Sequence, residues 1–401
     1  MDLTLFDDNA TGDLISITGS DPRHGSWEHK AFLPAALPDA MPQLSAETVM
    51  TLADARSALS ALDNTARHLP NPQLLRQPTL RAEAQSTSAL EGTYAPLSEV
   101  ITADVNHAGS AEMREVLNYV QMANFGFAAA AEGRTLTKSL LTQLQGLLMT
   151  GTPLESESGQ LRQNQVVIGL RKDGADHVLP VKAARFVPLP PGDQLESGVD
   201  HLMEWKSRDH RKLIDPLIKT GIAHYQFETL HPFRDGNGRL GRYLIVHDLV
   251  SSGLLSEPTL TVSPWFEARR SQYYDHLLGV STSGDWDSFL NFFARGLEQA
   301  AISTHRQLLE LSRVQAELKH TIRSSHIRSE SSHALVDLAT GRLTFTAPMA
   351  AEELGLSRGG ARKSIDQLVE LGILGVLDPE STYRRRFYAP AIVNVLLGTE
   401  V

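Results

Sequence analysis

The chain has 401 residues, of which 41% are hydrophobic and 21% are charged, and this balance excludes a chain that is disordered over most of its length. Aspartate and glutamate number 47 against 37 lysines and arginines, so the net charge of −10 argues against a protein that mainly coats nucleic acid. The absence of cysteine excludes disulfides, thiolate metal sites and a cysteine nucleophile.

The N-terminal residues show no basic stretch followed by an apolar core, and the chain holds no apolar run of about 18 residues. We therefore expect a cytoplasmic protein without a membrane partner. Residues 1–44 contain Gly, Asp and Pro punctuation and one short apolar run at 14–17, which predicts an arm with a single strand rather than a domain.

Residues 45–130 are predicted to be helical, most clearly where Met113, Val116, Leu117 and Val120 recur at three- and four-residue steps. Residues 131–300 continue as a helical domain interrupted by an inserted β-hairpin at about 163–190. In that insertion, strand-like runs at 165–169 and 185–188 flank a polar turn at 172–174.

The end of the chain is predicted to be a separate unit. Residues 301–325 carry few turn signals and predict a linker helix. Within residues 326–401, two short helices across a tight turn are followed by a basic strand, an order that resembles a winged helix-turn-helix.

One segment contains the candidate functional residues. Residues 231–242 read HPFRDGNGRLGR and lie between two apolar periodic helices, so they form a loop that leads into a helix N-terminus. Gly236, Asn237 and Gly238 tolerate positive φ, and we expect their successive N–H groups to form a concavity that accepts a phosphate. The dipole of the following helix adds to this attraction.

Four charged or titratable side chains complete the pattern. Arg239 and Arg242 are three residues apart, so they project from one helix face towards the same phosphate site. Asp235 offers a hard oxygen ligand for Mg²⁺ beside phosphates. His231 can accept a proton near neutral pH, since histidine ordinarily titrates near about 6.5. Each residue alone fits an ordinary turn, but their combination within one loop does not.

The segment meets every specified position of H-x-F-x-[DE]-G-N-G-R-x-x-R, the motif of the Fic family, and the resemblance extends over roughly residues 45–300. It implies a mainly α fold: a Fic-type helical core at 131–300 with an inserted β-hairpin flap, plus a small C-terminal winged helix-turn-helix domain. Fic enzymes typically transfer AMP from ATP to a Ser, Thr or Tyr hydroxyl of a protein and release pyrophosphate. The flap is then expected to hold the target protein by strand addition.

The resemblance also implies roles for individual residues. His231 would be the general base and Asp235 the Mg²⁺ ligand. The residues expected to hold the phosphates of ATP, from the α- to the γ-phosphate, are Gly236, Asn237, Gly238, Arg239 and Arg242. Gln226 and Tyr273 are expected to border the nucleotide. Arg269 departs from the asparagine often found in its helix, which leaves the preference for adenine open.

A second segment, residues 87–92, reads TSALEG and resembles the inhibitory motif [ST]-x-x-x-E-[GN] of the same family. It predicts an inhibitory helix near 80–92 that ends at Gly92, with Glu91 in the last turn, where the helix dipole disfavours a carboxylate. We expect Glu91 to pair with Arg242 and to keep it from the γ-phosphate. The alternative is an exposed glutamate in a frayed turn.

Other functions remain open at this stage. The C-terminal unit would bind DNA if Arg358, Arg362 and Lys363 formed a recognition surface with the arginines at 384–386, although a solvated face or a protein-docking surface is favoured. The same active site would remove AMP if Glu91 aligned a water, or would transfer another phosphate-containing group. A homodimer is plausible for this family.

Overall fold

The computed structural model describes residues 1–23, 25–68, 76–103, 109–170, 179–327, 329–377, 379–380 and 385–398. The predicted turn at 172–174 and the predicted contact residue Arg384 lie outside the described residues. Within these ranges no helix is long and apolar enough to cross a membrane.

The fold is mainly α-helical, as predicted. The helices are α1 (Ala46–His68), α2 (Arg76–Leu90), α3 (Leu97–Thr102), α4 (Ala111–Ala131), α5 (Lys138–Leu148), α6 (Pro180–Ala183), α7 (Asp193–Ser207), α8 (Pro216–Leu230), α9 (Asn237–Ser251), α10 (Ser263–Glu267), α11 (Arg270–Ser283), α12 (Trp286–Ser324), α13 (Glu330–Arg342), α14 (Ala347–Glu353), α15 (Arg358–Glu370) and α16 (Pro390–Leu397). The strands are β1 (Gly12–Asp21), β2 (Gly25–Pro34), β3 (Ile168–Leu170), β4 (Ala184–Phe186), β5 (Phe345–Thr346), β6 (Gly375–Val376) and β7 (Arg386–Tyr388).

The chain divides into two compact units. The first unit comprises Met1–Arg56, Gln121–Leu254 and Trp265–Glu298, and the second comprises Ser57–Val120, Leu255–Pro264 and Gln299–Val401. The helices α1, α4 and α12 each continue from one unit into the other, so the units differ from the segments that we predicted from sequence. The predicted linker helix at 301–325 is the second part of α12, which already begins at Trp286.

The N-terminal residues form a hairpin rather than an arm with one strand. β1 pairs antiparallel with β2 along ten residues each, from Gly12 opposite Pro34 to Asp21 opposite Gly25. Phe32 is fully buried, and its backbone N–H donates to the carbonyl of Val187 at 2.9 Å. The hairpin therefore packs against the inserted segment and shares a hydrophobic cluster with it.

The inserted segment contains two short strands, β3 and β4, which pair antiparallel with Ile168 opposite Phe186. We call residues 163–190 the flap. The apolar side chains of β4 face the N-terminal hairpin, whereas Leu170 at the end of β3 is 65% exposed. Within the described residues β3 pairs with β4 alone, so its other edge carries backbone groups that no strand covers.

Two buried helices position the motif. α8 begins with Asp215 as its N-cap, which accepts from the N–H of Leu217 at 2.8 Å, and with Pro216 in its first turn, where a missing N–H costs nothing. α8 and the following α9 are buried on nearly all faces, including polar side chains such as His224 and Arg242. The loop between them is held between two rigid elements.

In the second unit, the C-terminal residues form helices α13 to α16 and a sheet of order β5-β7-β6. Thr346 caps α14, and Ser357 caps α15 by accepting from the N–H of Gly360 at 3.0 Å. These helices match the predicted pair on either side of a turn at Gly355, where φ is 62°. Arg362 on α15 pairs with Asp366 at 3.0 Å, and Arg386 donates to the carbonyl of Thr102 at 3.1 Å.

Candidate active site

The motif begins with a histidine that ends a helix in an unusual backbone conformation. α8 stops at Leu230, and His231 follows with φ 47° and ψ 59°, in the left-handed region, while its N–H still donates to the carbonyl of Phe227 at 3.0 Å. A side chain in this region costs about 1–3 kcal/mol, so surrounding contacts must hold it there. The chain thus turns out of the helix at the residue predicted to be the base.

The contacts of the His231 ring fix its tautomer. Nδ1 lies 3.3 Å from the backbone carbonyl of Glu228, and a carbonyl oxygen can only accept. Nδ1 therefore carries the proton of the neutral ring, and Nε2 carries the lone pair. A half-buried imidazole in this tautomer can take a proton through Nε2.

Asn237 braces the loop rather than presenting its amide to a ligand. Its Oδ1 accepts from the N–H of Phe233 at 2.9 Å, and its Nδ2 donates to the carbonyl of the same residue at 2.8 Å. Both residues are buried. The side chain of Asn237 thus satisfies the buried backbone of the loop, and its backbone N–H is the group available to a phosphate.

Of the three residues that tolerate positive φ, Gly236 alone adopts it. Gly236 alone of residues 236–238 lies in the left-handed region, with φ 83°, and an added Cβ would lie 2.9 Å from Leu148 Cδ2. Asn237 and Gly238 are already in the first turn of α9. Because the first N–H groups of a helix have no acceptor within the helix, the N-terminus of α9 is where the predicted phosphate site would lie.

Both motif arginines are buried, at 1% exposure each. Nη2 of Arg239 lies 3.5 Å from Oδ2 of Asp235 and 3.9 Å from Sδ of Met149. A guanidinium held under the loop in this way has few rotamers to lose when it binds a phosphate. The first turns of α9 therefore concentrate positive charge below the predicted phosphate site.

Asp235 fits the role of a magnesium ligand. Its Oδ1 accepts from the N–H of Gly236 at 2.6 Å, and its side chain is 46% exposed, so the carboxylate is oriented and still accessible. No cluster of three or more His, Asp or Glu that could hold a metal occurs among the described residues. This donor set suits Mg²⁺, which commonly uses one or two carboxylates together with substrate phosphates and waters.

Two buried side chains hold the motif loop by hydrogen bonds to its backbone. Neither was assigned to the site from the sequence. The amide of Gln145 donates to the carbonyl of Asp235 at 3.0 Å and accepts from the N–H of Gly159 at 2.6 Å. Nε of Arg162 donates to the carbonyl of His231 at 2.9 Å, and its backbone N–H donates to the carbonyl of Pro232 at the same distance. Their partners in the motif loop are backbone groups 69 to 90 residues away, so sequence periodicity does not indicate these contacts.

Gln226 and Tyr273, which were predicted to border the nucleotide, are both buried side chains. Gln226 is buried, donates to the carbonyl of Ala35 at 3.4 Å and lines a pocket of about 310 Å³ between α7 and the end of β2. Tyr273 is 1% exposed, and its hydroxyl lies 2.7 Å from Nε2 of His224. The structure thus places both predicted nucleotide neighbours in the core around the site.

The environment of His224 assigns the direction of that hydrogen bond. Nδ1 of His224 lies 3.2 Å from the carbonyl of Gly241, so Nδ1 donates. Burial, together with the positive charge of Arg242, lowers the pKa of His224 to about 3, and the ring is neutral at neutral pH. Nε2 must then accept, and the hydroxyl of Tyr273 donates to it.

This arrangement makes a stability prediction. Tyr273→Phe leaves the buried Nε2 of His224 without its donor and should lower the free energy of unfolding of the first unit by about 1–3 kcal/mol. All four tryptophans lie in that unit, so urea unfolding followed by tryptophan fluorescence reports on it. Tyr94→Phe, the same change at a residue that is 66% exposed, is the control. Equal midpoints for the two variants would refute the assignment.

The predicted inhibitory segment ends a helix of the second unit. α2 stops at Leu90, and Gly92 has φ 94°, as expected for a glycine that ends a helix. The N–H of Glu91 donates to the carbonyl of Ser88 at 3.0 Å, and so does that of Thr93. Glu91 is exposed, whereas the preceding residues 86–90 are buried.

Comparison with known proteins agrees with this geometry. The Fic/DOC family N-terminal model matches residues 49–128, and the Fic/DOC family model matches residues 135–249, which includes α8, the loop and most of α9. The chain thus contains the two domains of the Fic/DOC family, at residues 49–128 and 135–249. The crystal structure of a Fic family protein from Desulfovibrio desulfuricans G20 has the same fold, with a TM-score of 0.53 and 22% identity over 87% of this chain and 97% of that chain.

Two curated relatives of this Fic/DOC chain are named Protein adenylyltransferase Fic. The protein from Drosophila virilis is 31% identical over 138 residues, which are 34% of this chain and 24% of the relative. The protein from Drosophila melanogaster is 30% identical over 138 residues, which are 34% of this chain and 23% of the relative. The matched part of the chain spans about a quarter of the length of these relatives.

Proposed function

We propose that this protein is a nucleotidyltransferase that moves AMP from ATP to a Ser, Thr or Tyr hydroxyl of a target protein and releases pyrophosphate. The observation that carries the proposal is the position of His231, with its lone pair on Nε2, at the start of the short loop that leads to the N-terminus of α9. A base and an anion site then lie on the same short loop. The names of the curated relatives support the same activity.

In the proposed reaction, Nε2 of His231 takes the proton of the acceptor hydroxyl while the hydroxyl oxygen attacks the α-phosphorus of ATP. A new P–O bond forms, the bond between the α-phosphorus and the bridging oxygen of the β-phosphate breaks, and pyrophosphate leaves with the electron pair. The N–H groups of α9 and the guanidinium groups of Arg239 and Arg242 stabilise the charge on the leaving phosphates. Mg²⁺, held by Asp235, would neutralise further phosphate charge when bound.

The flap provides the proposed site for the target. An extended segment can add to the edge of β3 that no strand covers among the described residues, because backbone N–H and C=O groups on such an edge can pair with another strand. The exposed Leu170 lies on this strand and offers an apolar contact. Main-chain pairing would bring an acceptor side chain towards the loop without requiring a fixed target sequence.

Glu91 is the proposed inhibitor of this reaction. A carboxylate that pairs with Arg242 competes with the γ-phosphate for the same guanidinium. ATP then binds in a position that leaves its α-phosphorus poorly aligned for attack. The support is the resemblance of residues 87–92 to the inhibitory motif together with the Gly92 helix end.

The DNA-binding alternative has weaker support. On α15 the exposed Arg358 and Lys363 could contact phosphates, but Arg362 already pairs with Asp366. In the strand that follows, Arg386 donates to a backbone carbonyl. We therefore propose a protein target for the active site and no nucleic-acid partner.

The choice of donor can be tested directly. Purified Glu91→Gly protein is incubated with Mg²⁺ and with ATP, GTP, UTP or CDP-choline, and the intact mass is measured. We expect an added AMP from ATP only. An adduct from another donor would replace the proposed substrate, and no adduct from any donor would contradict the proposed transfer. Loss of AMP on addition of wild-type protein would instead support the reverse reaction.

A further inference from the structure

Arg162 is a buried cation that binds only backbone carbonyls. It is 2% exposed, and its guanidinium donates from Nε to His231 at 2.9 Å and from Nη1 to Asn164 at 3.3 Å. Nη2 donates to the carbonyl of Leu189 and lies 3.5 Å from that of Leu230. Among the described residues no carboxylate lies within ion-pair distance of it.

Burial of this charge has a cost, and desolvation lowers the pKa of Arg162 to about 10. The compensation comes from the carbonyls at the end of α8, which form the negative end of the helix dipole. Four separate carbonyl partners around one guanidinium indicate that its geometry matters as well as its charge. A lysine has the same charge but cannot span separate acceptors with a planar fork.

We propose that Arg162 is a positioning residue that couples the order of the flap to the orientation of His231. Three of its acceptors, including the backbone partner Pro232, belong to the segment that contains His231. The other two, Asn164 and Leu189, lie at the two ends of the flap, just outside β3 and β4. One side chain therefore connects both ends of the flap to the segment that contains His231. The inference rests on the proposed function.

The conformation of His231 gives this contact its effect. In the left-handed region the peptide plane after His231 is not held by helix hydrogen bonds, and the bond from Nε of Arg162 fixes it. Together with the bond from the His231 N–H to the carbonyl of Phe227, this contact fixes the backbone on both sides of the Cα atom from which the imidazole projects. A target strand paired with β3 therefore acts on His231 through the carbonyls of Asn164 and Leu189, which Arg162 binds. Gln165 also connects the two ends of the flap, because its side chain donates to the carbonyl of Pro188 at 2.9 Å.

The test uses Arg162→Lys in the full-length Glu91→Gly protein. We expect the rate of AMP transfer at saturating ATP to fall about 100-fold, since a misplacement of about 1 Å at the reacting group has an effect of that size. The dissociation constant for ATP should stay within about threefold. Arg295→Lys, on an exposed arginine of the same unit, is the control. A weaker affinity for ATP with an unchanged saturated rate would overturn the inference.

A second readout does not depend on activity. In ¹⁵N-histidine NMR spectra, with the His231 signal assigned by His231→Gln, the wild-type ring should show the Nδ1–H tautomer and Arg162→Lys a mixture of tautomers. An unchanged tautomer would overturn the inference. Because this measurement needs no nucleotide, it decides the role of Arg162 even if no donor is used and the proposed function fails.

Gln165→Ala covers the case in which Arg162→Lys does not fold. This variant keeps Arg162 but removes the hydrogen bond from Gln165 to the carbonyl of Pro188. The coupling therefore predicts a lower transfer rate at saturating ATP and an altered His231 signal. If Arg162→Lys folds, Gln165→Ala should lower the rate less in the Arg162→Lys protein than in the protein that keeps Arg162. The reason is that Arg162→Lys has already removed the contacts that connect the flap to His231. Additive effects on the rate would contradict the coupling.

Discussion

Replacing His231 with alanine is expected to lower the rate of AMP transfer by about 10²- to 10⁴-fold, the usual contribution of a positioned general base. The alanine removes the Nε2 lone pair that takes the acceptor proton. The N-terminus of α9, the two buried arginines and Asp235 remain in place. The affinity for ATP should therefore change little, and the loss should appear in the transfer rate at saturating ATP.

The measurement compares Glu91→Gly with the Glu91→Gly, His231→Ala double variant, using intact mass for transfer and calorimetry for ATP binding. Tryptophan fluorescence verifies that the first unit remains folded, since all four tryptophans lie there. A loss of ATP affinity that explains the whole loss of transfer would mean that His231 binds the nucleotide and is not the base.

Glu91→Gly is expected to raise the rate of AMP transfer by about 10- to 100-fold. The variant releases Arg242 to the γ-phosphate, and a hydrogen bond to a charged group contributes about 1.5–3 kcal/mol. Glu91→Gln removes the charge at nearly constant size and should activate in the same direction. The measurement is the initial rate of AMP incorporation at saturating ATP.

Glu132 provides a matched control for the Glu91→Gly variant. Glu132 and Gly133 follow α4 as Glu91 and Gly92 follow α2, with Gly133 at φ 77° and Glu132 exposed. Glu132→Gly makes the same change at a helix end outside the resembling motif, and its rate should equal that of wild type. Equal rates for Glu91→Gly and wild type, or activation by Glu132→Gly, would contradict the inhibitory role of Glu91.

The sequence predicted the loop and the helix that follows it because the local signals in this segment agree with one another. Apolar periodicity on both sides, Gly236 at the turn and the arginines three residues apart all indicate a helix N-terminus that binds an anion. Asn237 and Gly238 tolerate positive φ, as stated from the sequence, but they do not adopt it. Once Gly236 has turned the chain, helical hydrogen bonds begin at once.

The remaining differences come from tertiary contacts. The hairpin of β1 and β2 was not predicted because much of its apolar surface is completed by the flap, with Phe32 against Phe186 at a ring distance of 5.6 Å. The roles of Gln145 and Arg162 depend on backbone carbonyls far along the chain. The hydrogen bond from Tyr273 to His224 joins residues 49 positions apart, so no local pattern marks it.

One measurement tests the central claim, that the loop between α8 and α9 transfers AMP with His231 as its base. Glu91→Gly protein and the double variant with His231→Ala are each incubated with ATP and Mg²⁺, and their intact masses are recorded. The account predicts an added AMP on the first protein and none on the second over the same time. Equal labelling of both proteins, or no labelling of the first, would contradict it.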